Sequence, residues 1–162
     1  EFTVAENLVL QDHGRPPYTR GKVFLNFRAI TKACKEAIRA YEIKTPGTET
    51  PIKSLSGGNI QKLVLARELS RRPKVLIAAQ PTRGVDIGAT EYIHRRLLDE
   101  RAKGTAILLI SEDLDEIMAL SDRIVVMYEG RIVGELPGGK VDVRRLGAMM
   151  AGAALDTVEE KV

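Results

Sequence analysis

The chain has 162 residues, with 25 Lys and Arg against 22 Asp and Glu for a net charge of +3, and a length that suits one domain or slightly more. A chain of this size buries about 70% of its unfolded surface, and 44% hydrophobic with 29% charged residues excludes a wholly disordered protein. Aromatic residues at 4%, with no Trp, exclude a stacking platform for single-stranded nucleic acid, and three excess charges are too few for a nucleic-acid footprint.

Thr3-Val4-Ala5-Glu6 has the form of a capping box, so a short helix is expected through Leu10. Gly14, Pro16 and Pro17 mark a loop. From 22 to about 41, Phe24, Phe27, Ile30, Ala33, Ala37 and Tyr41 recur at helical spacing, which predicts a long amphipathic helix that buries Cys34 as a small core residue. Pro46, Gly47 and Pro51 make a second loop. A helix is expected over 59–70, with Leu63, Leu65, Ala66 and Leu69 as its apolar face and Pro73 as its stop.

The run 75–79, between Pro73 and Pro81, reads as a buried strand. Residues 88–102 are helical, with Ile93, Leu97 and Leu98 inward, and Gly104 ends them. A second buried strand is expected at 106–110 and a short helix at 114–120. Strands at 123–128 and 131–135 flank the two-residue turn Glu129-Gly130. A last helix over 141–151, packed by Met149 and Met150, precedes a frayed tail from 156. The order predicts an α/β fold with parallel strands, preceded by a helical part.

Leu55-Ser56-Gly57-Gly58-Asn59 stands immediately before a helix. Glycines allow close approach of a backbone, and the free amides and dipole of a helix start favour an anion. On these five residues alone, a glycine-rich cap without a ligand is an equal alternative. The polar segments that follow the two strands, 80–86 and 111–113, are where α/β folds place ligands. His13 and His94 lack companion ligands, so no metal site is expected. The acidic residues at 113–116 read as partners of a helix dipole.

LSGGNIQKLVLARELSRRPKVLI at 55–77, PTRGVD at 81–86, ILLISEDLDEI at 107–117 and SDRIVVMYEGRIVGE at 121–135 resemble an ABC-type ATPase cassette. The wording is most similar to the second cassette of tandem-cassette importers for simple sugars and nucleosides, and AENLVL at 5–10 resembles the stretch after their Q-loop. The resemblance implies a partial P-loop NTPase core with parallel strands (73–155). It is preceded by a helical signature subdomain (1–72) and ended by a β-hairpin, a C-terminal helix and a tail (156–162).

It also implies that Leu55, Ser56, Gly57, Gly58 and Asn59 are a signature motif facing the γ-phosphate of ATP held by the opposite cassette. Asp86 matches the D-loop aspartate at the cassette interface. The implied partners are a second cassette, expected in the same polypeptide, and membrane permease subunits that meet 24–41 and the loop 45–54, while the helix also buries its apolar stripe within the subdomain. Nucleic acid is not among them. The implied location is the cytoplasmic face of the membrane, which a single cysteine and apolar runs too short to span a bilayer suit. A soluble ABC-type ATPase of translation or DNA repair is the alternative reading.

Three departures stand at one site. Where the family ends its strand in Asp-Glu, this chain has Ala79-Gln80, and where it has a switch His, this chain has Glu112. Ala79 offers no oxygen for Mg²⁺. The Gln80 amide takes up no proton near neutral pH, and a Glu112 carboxylate repels a γ-phosphate that His would bind. The own nucleotide site is therefore expected to be degenerate. No GxxxxGK(S/T) occurs in the 162 residues. The chain is thus expected to be part of a longer protein and, alone, to hydrolyse no ATP.

Overall fold

The computed structural model describes residues 2–21, 23–139 and 141–152. The elements in order are α1 (Val4–Val9), β1 (Thr19–Arg20), β2 (Phe24–Leu25), α2 (Phe27–Ala40), a 3-10 turn (Ile52–Ser54), α3 (Gly57–Leu69), β3 (Val75–Ala79), α4 (Ile87–Ala102), β4 (Ala106–Ile110), α5 (Leu114–Leu120), β5 (Arg123–Tyr128), β6 (Arg131–Pro137) and α6 (Val143–Met150). They form two compact units, Glu1–Leu76 with Pro81–Ile107, and Ile77–Gln80 with Leu108–Val162.

In the first unit, local rules start the helices. The Thr3 hydroxyl accepts from the Glu6 amide at 3.2 Å, and the Thr3 amide donates to the Glu6 carboxylate at 2.7 Å, closing the capping box. The helix expected from residue 22 begins only at Phe27, where Asn26 caps it by accepting from the Ala29 amide. A two-stranded hairpin, β1 on β2, occupies the preceding residues; Lys22 itself lies outside the described residues. Phe24 and Phe27 are consequently not core, with 73% and 69% of their surface exposed. Ile30 and Cys34 are the buried residues of α2.

The core of this unit joins Val4, Ala5, Leu8, Val9, Ile30, Cys34, Ile43, Leu63 and Ala66, contributed by α1, α2, α3 and the turn at 43. The expected face of α3 is borne out, since Leu63, Leu65, Ala66 and Leu69 are all buried. On α4, Ile93 and Leu97 are buried but Leu98, expected inward, is 40% exposed. Arg96 of α4 donates to the Ala40 carbonyl at 2.7 Å and to the Tyr92 hydroxyl at 3.1 Å, and its guanidinium stands 4.4 Å over the Tyr41 ring. This ties α4 to the end of α2.

Burial, with the charge of Glu49 second, pushes the Cys34 thiol up to about 11. Its thiolate is then only about one part in ten thousand at neutral pH. Cys34 is expected to resist iodoacetamide in the folded protein and to be fully alkylated in denaturant, as read by intact mass.

β3 and β4 pair with each other. The Ala106 amide bonds the Lys74 carbonyl at one end and the Gln80 amide bonds the Ile110 carbonyl at the other, so the strands run parallel. Both were expected to be buried on both faces. Instead Leu76 and Ala78 are buried while Val75 and Ile77 are about two-thirds exposed, and Leu108 and Ile110 are about half exposed. Side chains alternate across a strand, and among the described residues only one face of β3 is covered.

In the second unit β5 and β6 form the expected hairpin, with β6 two residues longer than expected. Glu129 and Gly130 both have positive φ, 46° and 76°, which is the turn type that matches strand twist. Ile124, Val126 and Leu136 pack with Leu146 and Met149 of α6. Met150 is 46% exposed and does not share that role. The expected tail at 156–162 lies outside the described residues. No helix of the described residues is long and apolar enough to cross a membrane.

Candidate functional site

α3 begins at Gly57, so the two glycines form its first turn instead of preceding it. Ser56 holds the N-cap position in extended backbone, with φ −67° and ψ 155°, yet its side chain makes no capping bond. The hydroxyl instead accepts from the Asn59 amide Nδ2 at 2.8 Å. A serine hydroxyl has one hydrogen to donate. With its oxygen engaged by Asn59, the exposed Ser56 keeps that hydrogen for an acceptor outside the helix. Asn59 is itself held, because its Oδ1 accepts from the Lys44 amide at 2.7 Å.

The glycines are required by packing. A Cβ on Gly57 would stand 3.0 Å from the Gly84 carbonyl oxygen, and one on Gly58 would stand 2.7 Å from the Ala89 Cβ and 3.6 Å from Asp86 Oδ2. Asp86 caps α4 by accepting from the Ala89 amide at 2.9 Å. Gly84 has φ 72°, a conformation that other residues rarely adopt. Thus Ser56, Gly57, Gly58, Asn59 and Asp86 are brought together within the first unit. Leu55 is half-buried and packs against the core below them.

The arrangement fits an anionic oxygen at Ser56. It combines an exposed hydroxyl with a hydrogen still to donate, first-turn amides without an intrahelical acceptor, and the positive end of a 13-residue helix dipole. It does not fit a divalent cation, since the chemistry there is donor chemistry. Among the described residues no cluster of His, Cys, Asp or Glu could hold a metal.

Ala79, Gln80 and Glu112 belong to the second unit. Ala79 closes β3 with an exposed methyl. Gln80 has φ 50°, and its amide bonds the carbonyl that closes β4. Ser111 then accepts from the Asp113 amide, and Asp113 caps α5 through the amides of Asp115 and Glu116. Glu112 is left exposed. No oxygen at 79 and an amide at 80 do not fit Mg²⁺.

Sequence reasoning missed the parts played by Asn59, Lys44 and Gly84. Asn59 follows Ser56 by three residues, the spacing of a capping box, and that was the available signal. Lys44 and Gly84 lie 15 and 27 positions from their partners and carried none.

No family model matches the chain. It is similar to the guanosine import ATP-binding protein NupO of Bacillus subtilis, with 43% identity over 153 residues, 94% of this chain and 30% of that protein. It is also similar to the nucleoside import ATP-binding protein NupA of Lactococcus lactis, with 42% identity over 96% of this chain and 31% of that protein. The glucose import ATP-binding protein TsgD13 of Haloferax volcanii matches at 42% over 94% of this chain and 28% of its own length.

Among solved structures, a nucleotide-free ATP-binding cassette from an ABC transporter superposes with a TM-score of 0.69 at 25% identity, over 100% of this chain and 63% of that one. A dimeric post-hydrolysis cassette bound to ADP and Pi superposes with a TM-score of 0.65 at 21% identity, over 84% of this chain and 56% of that one. The chain spans about 30% of the length of the curated relatives it matches. The α/β arrangement with a parallel strand pair, a C-terminal hairpin and a closing helix is that of ABC cassettes. By sequence over nearly all its length and by fold, the chain belongs to the ATP-binding proteins of the ABC transporter family.

Proposed function

We propose that the chain is the C-terminal part of the second cassette of a tandem-cassette importer ATPase for simple sugars or nucleosides. In this reading 1–72 is the signature subdomain and 73–155 is part of the ATPase core. The protein acts peripherally at the cytoplasmic face of the membrane with permease subunits, and the import roles of its relatives support this. Bound ATP, with Mg²⁺ on the partner cassette, supplies the phosphoanhydride bond whose hydrolysis drives transport.

This chain's contribution is Leu55 to Asn59, offered across the cassette interface beside Asp86. The observation that carries it is the exposed Ser56 hydroxyl, which accepts from Asn59 at a helix start and keeps its hydrogen to donate. A donor fixed in advance stabilises developing phosphate charge without reorganising. The chain's own site is degenerate, because Ala79 supplies no metal oxygen, Gln80 no base and Glu112 no donor to phosphate.

The test uses the full-length protein assembled with its permease. Ser56→Arg fills the donor position with a long side chain and is expected to lower ATP hydrolysis about 100-fold or more, with solute uptake falling in step. Wild-type hydrolysis in that variant would refute the signature role. In the same assay Gln80→Ala is expected to change nothing, whereas Ala79→Asp, Gln80→Glu and Glu112→His together raise hydrolysis. A collapse of activity in Gln80→Ala would refute degeneracy.

A further inference from the structure

α2 has two unlike sides. Ile30 and Cys34 lie in the core, while Arg28, Lys32, Lys35 and Arg39 recur at steps of four, three and four residues. That spacing sets them in one line along the solvent side of the helix, roughly 16 Å from first to last. All four are exposed, and among the described residues none has an ion-pair partner. Glu36 is the single anion of the helix, so α2 alone carries an excess equal to the whole chain's +3. Phe27 lines the same shallow surface as the four cations.

The hairpin that leads into α2 adds the opposite chemistry. Val23, Phe24, Leu25 and Phe27 are 78%, 73%, 44% and 69% exposed. The β1–β2 pairing and the Asn26 amide bond to the Tyr18 carbonyl hold this strand at the start of the helix. Four apolar side chains within five residues therefore stand in water at one end of a cationic line.

We infer that the β2 strand and the solvent side of α2 form a docking surface for anionic phospholipid. Lys and Arg in a line seek phosphate oxygens, and exposed aromatic and aliphatic side chains beside them seek the hydrocarbon just beneath the headgroups. An acidic protein segment satisfies the cations but offers nothing to the apolar tip. The inference rests on the peripheral location proposed above and departs from the permease contact that the resemblance implies for 24–41, since it gives this face a lipid contact instead.

The test is flotation of the full-length protein, prepared without its permease, with vesicles of neutral phosphatidylcholine or with about one-third phosphatidylglycerol. Binding is expected to the anionic vesicles only, and to weaken with salt. Each basic side chain at such a surface strengthens binding roughly fivefold, so Lys32→Glu with Lys35→Glu is expected to weaken it by at least 10-fold. Phe24→Ser with Phe27→Ser is expected to weaken it while leaving the salt dependence intact. Ser56→Arg is expected to float like wild type, which separates this proposal from the signature role. Equal binding to both vesicle types, or binding unchanged by charge reversal, would overturn the lipid assignment. It is overturned equally if wild type ignores vesicles and the charge-reversal variant stops co-purifying with the permease, for then the surface docks an acidic protein segment.

Discussion

Gly58→Val is expected to loosen the first unit by about 3 kcal/mol and to displace the segment 55–59 with it. Gly58 is buried in the first turn of α3, and any Cβ there meets the Ala89 Cβ at 2.7 Å. Neither atom can swing aside, because each is fixed directly to its own helix backbone. Relief requires α3 and α4 to separate, which also moves Gly57 from Gly84 and Asp86 from its place beside Gly58. Helix propensity acts in the other direction, since Gly is worse than Ala by about 1 kcal/mol in a helix interior. Gly58→Ala is thus expected to be milder than valine and still destabilising. Gly147 in α6 is the control: nothing lies within 4 Å of a Cβ built there, so Gly147→Ala is expected to stabilise by about 0.5–1 kcal/mol. Hydrogen exchange of α3 and α6 in the full-length protein reads both, with α3 amides roughly 100-fold faster in Gly58→Val. Slower or unchanged α3 exchange in Gly58→Ala would show that the close approach is not a constraint.

The contrast between these two glycines shows what the sequence made legible. Local rules carried through: the Thr3–Glu6 capping box, the Glu129-Gly130 turn and the buried face of α3 all rest on residues one to six positions apart. Helical spacing also found Ile30, but it enrolled Phe24, because periodicity continues through a strand that happens to match it, and Phe27, which opens α2 but stays exposed there. The apolar runs at 75–79 and 106–110 announced strands without saying which face is covered, and Val75, Ile77 and Leu108 turned out exposed. The segment at 55–59 was legible as a glycine-rich helix start. Its organisation was not, since Asn59 bonds back to Lys44 and the glycines press on Gly84 and Ala89, contacts that exist only after α2, α3 and α4 have packed.

Leu63→Ala is expected to cost about 2–5 kcal/mol, a large share of a stability that is typically about 5–15 kcal/mol for a domain. Leu63 has 1% of its surface exposed and sits among Val4, Leu8, Ile30, Cys34, Ile43 and Ala66. It lies on α3 in the core to which α1 and α2 also contribute, so the cavity closes only if a packed helix shifts. Amides of α1 and α3 in the full-length protein are expected to exchange roughly 100-fold faster. The functional effect should differ from that of Ser56→Arg. Leu63 lies near the middle of α3, away from the outward hydroxyl, so the folded fraction keeps the Ser56–Asn59–Lys44 chain of hydrogen bonds. Hydrolysis per folded molecule is therefore expected to stay near wild type at low temperature and to fail on warming. Leu63→Ile, which conserves volume, is expected to cost under about 1.5 kcal/mol and to restore thermal tolerance. Equal loss of hydrolysis at every temperature in Leu63→Ala would instead place Leu63 in the positioning of Ser56 itself.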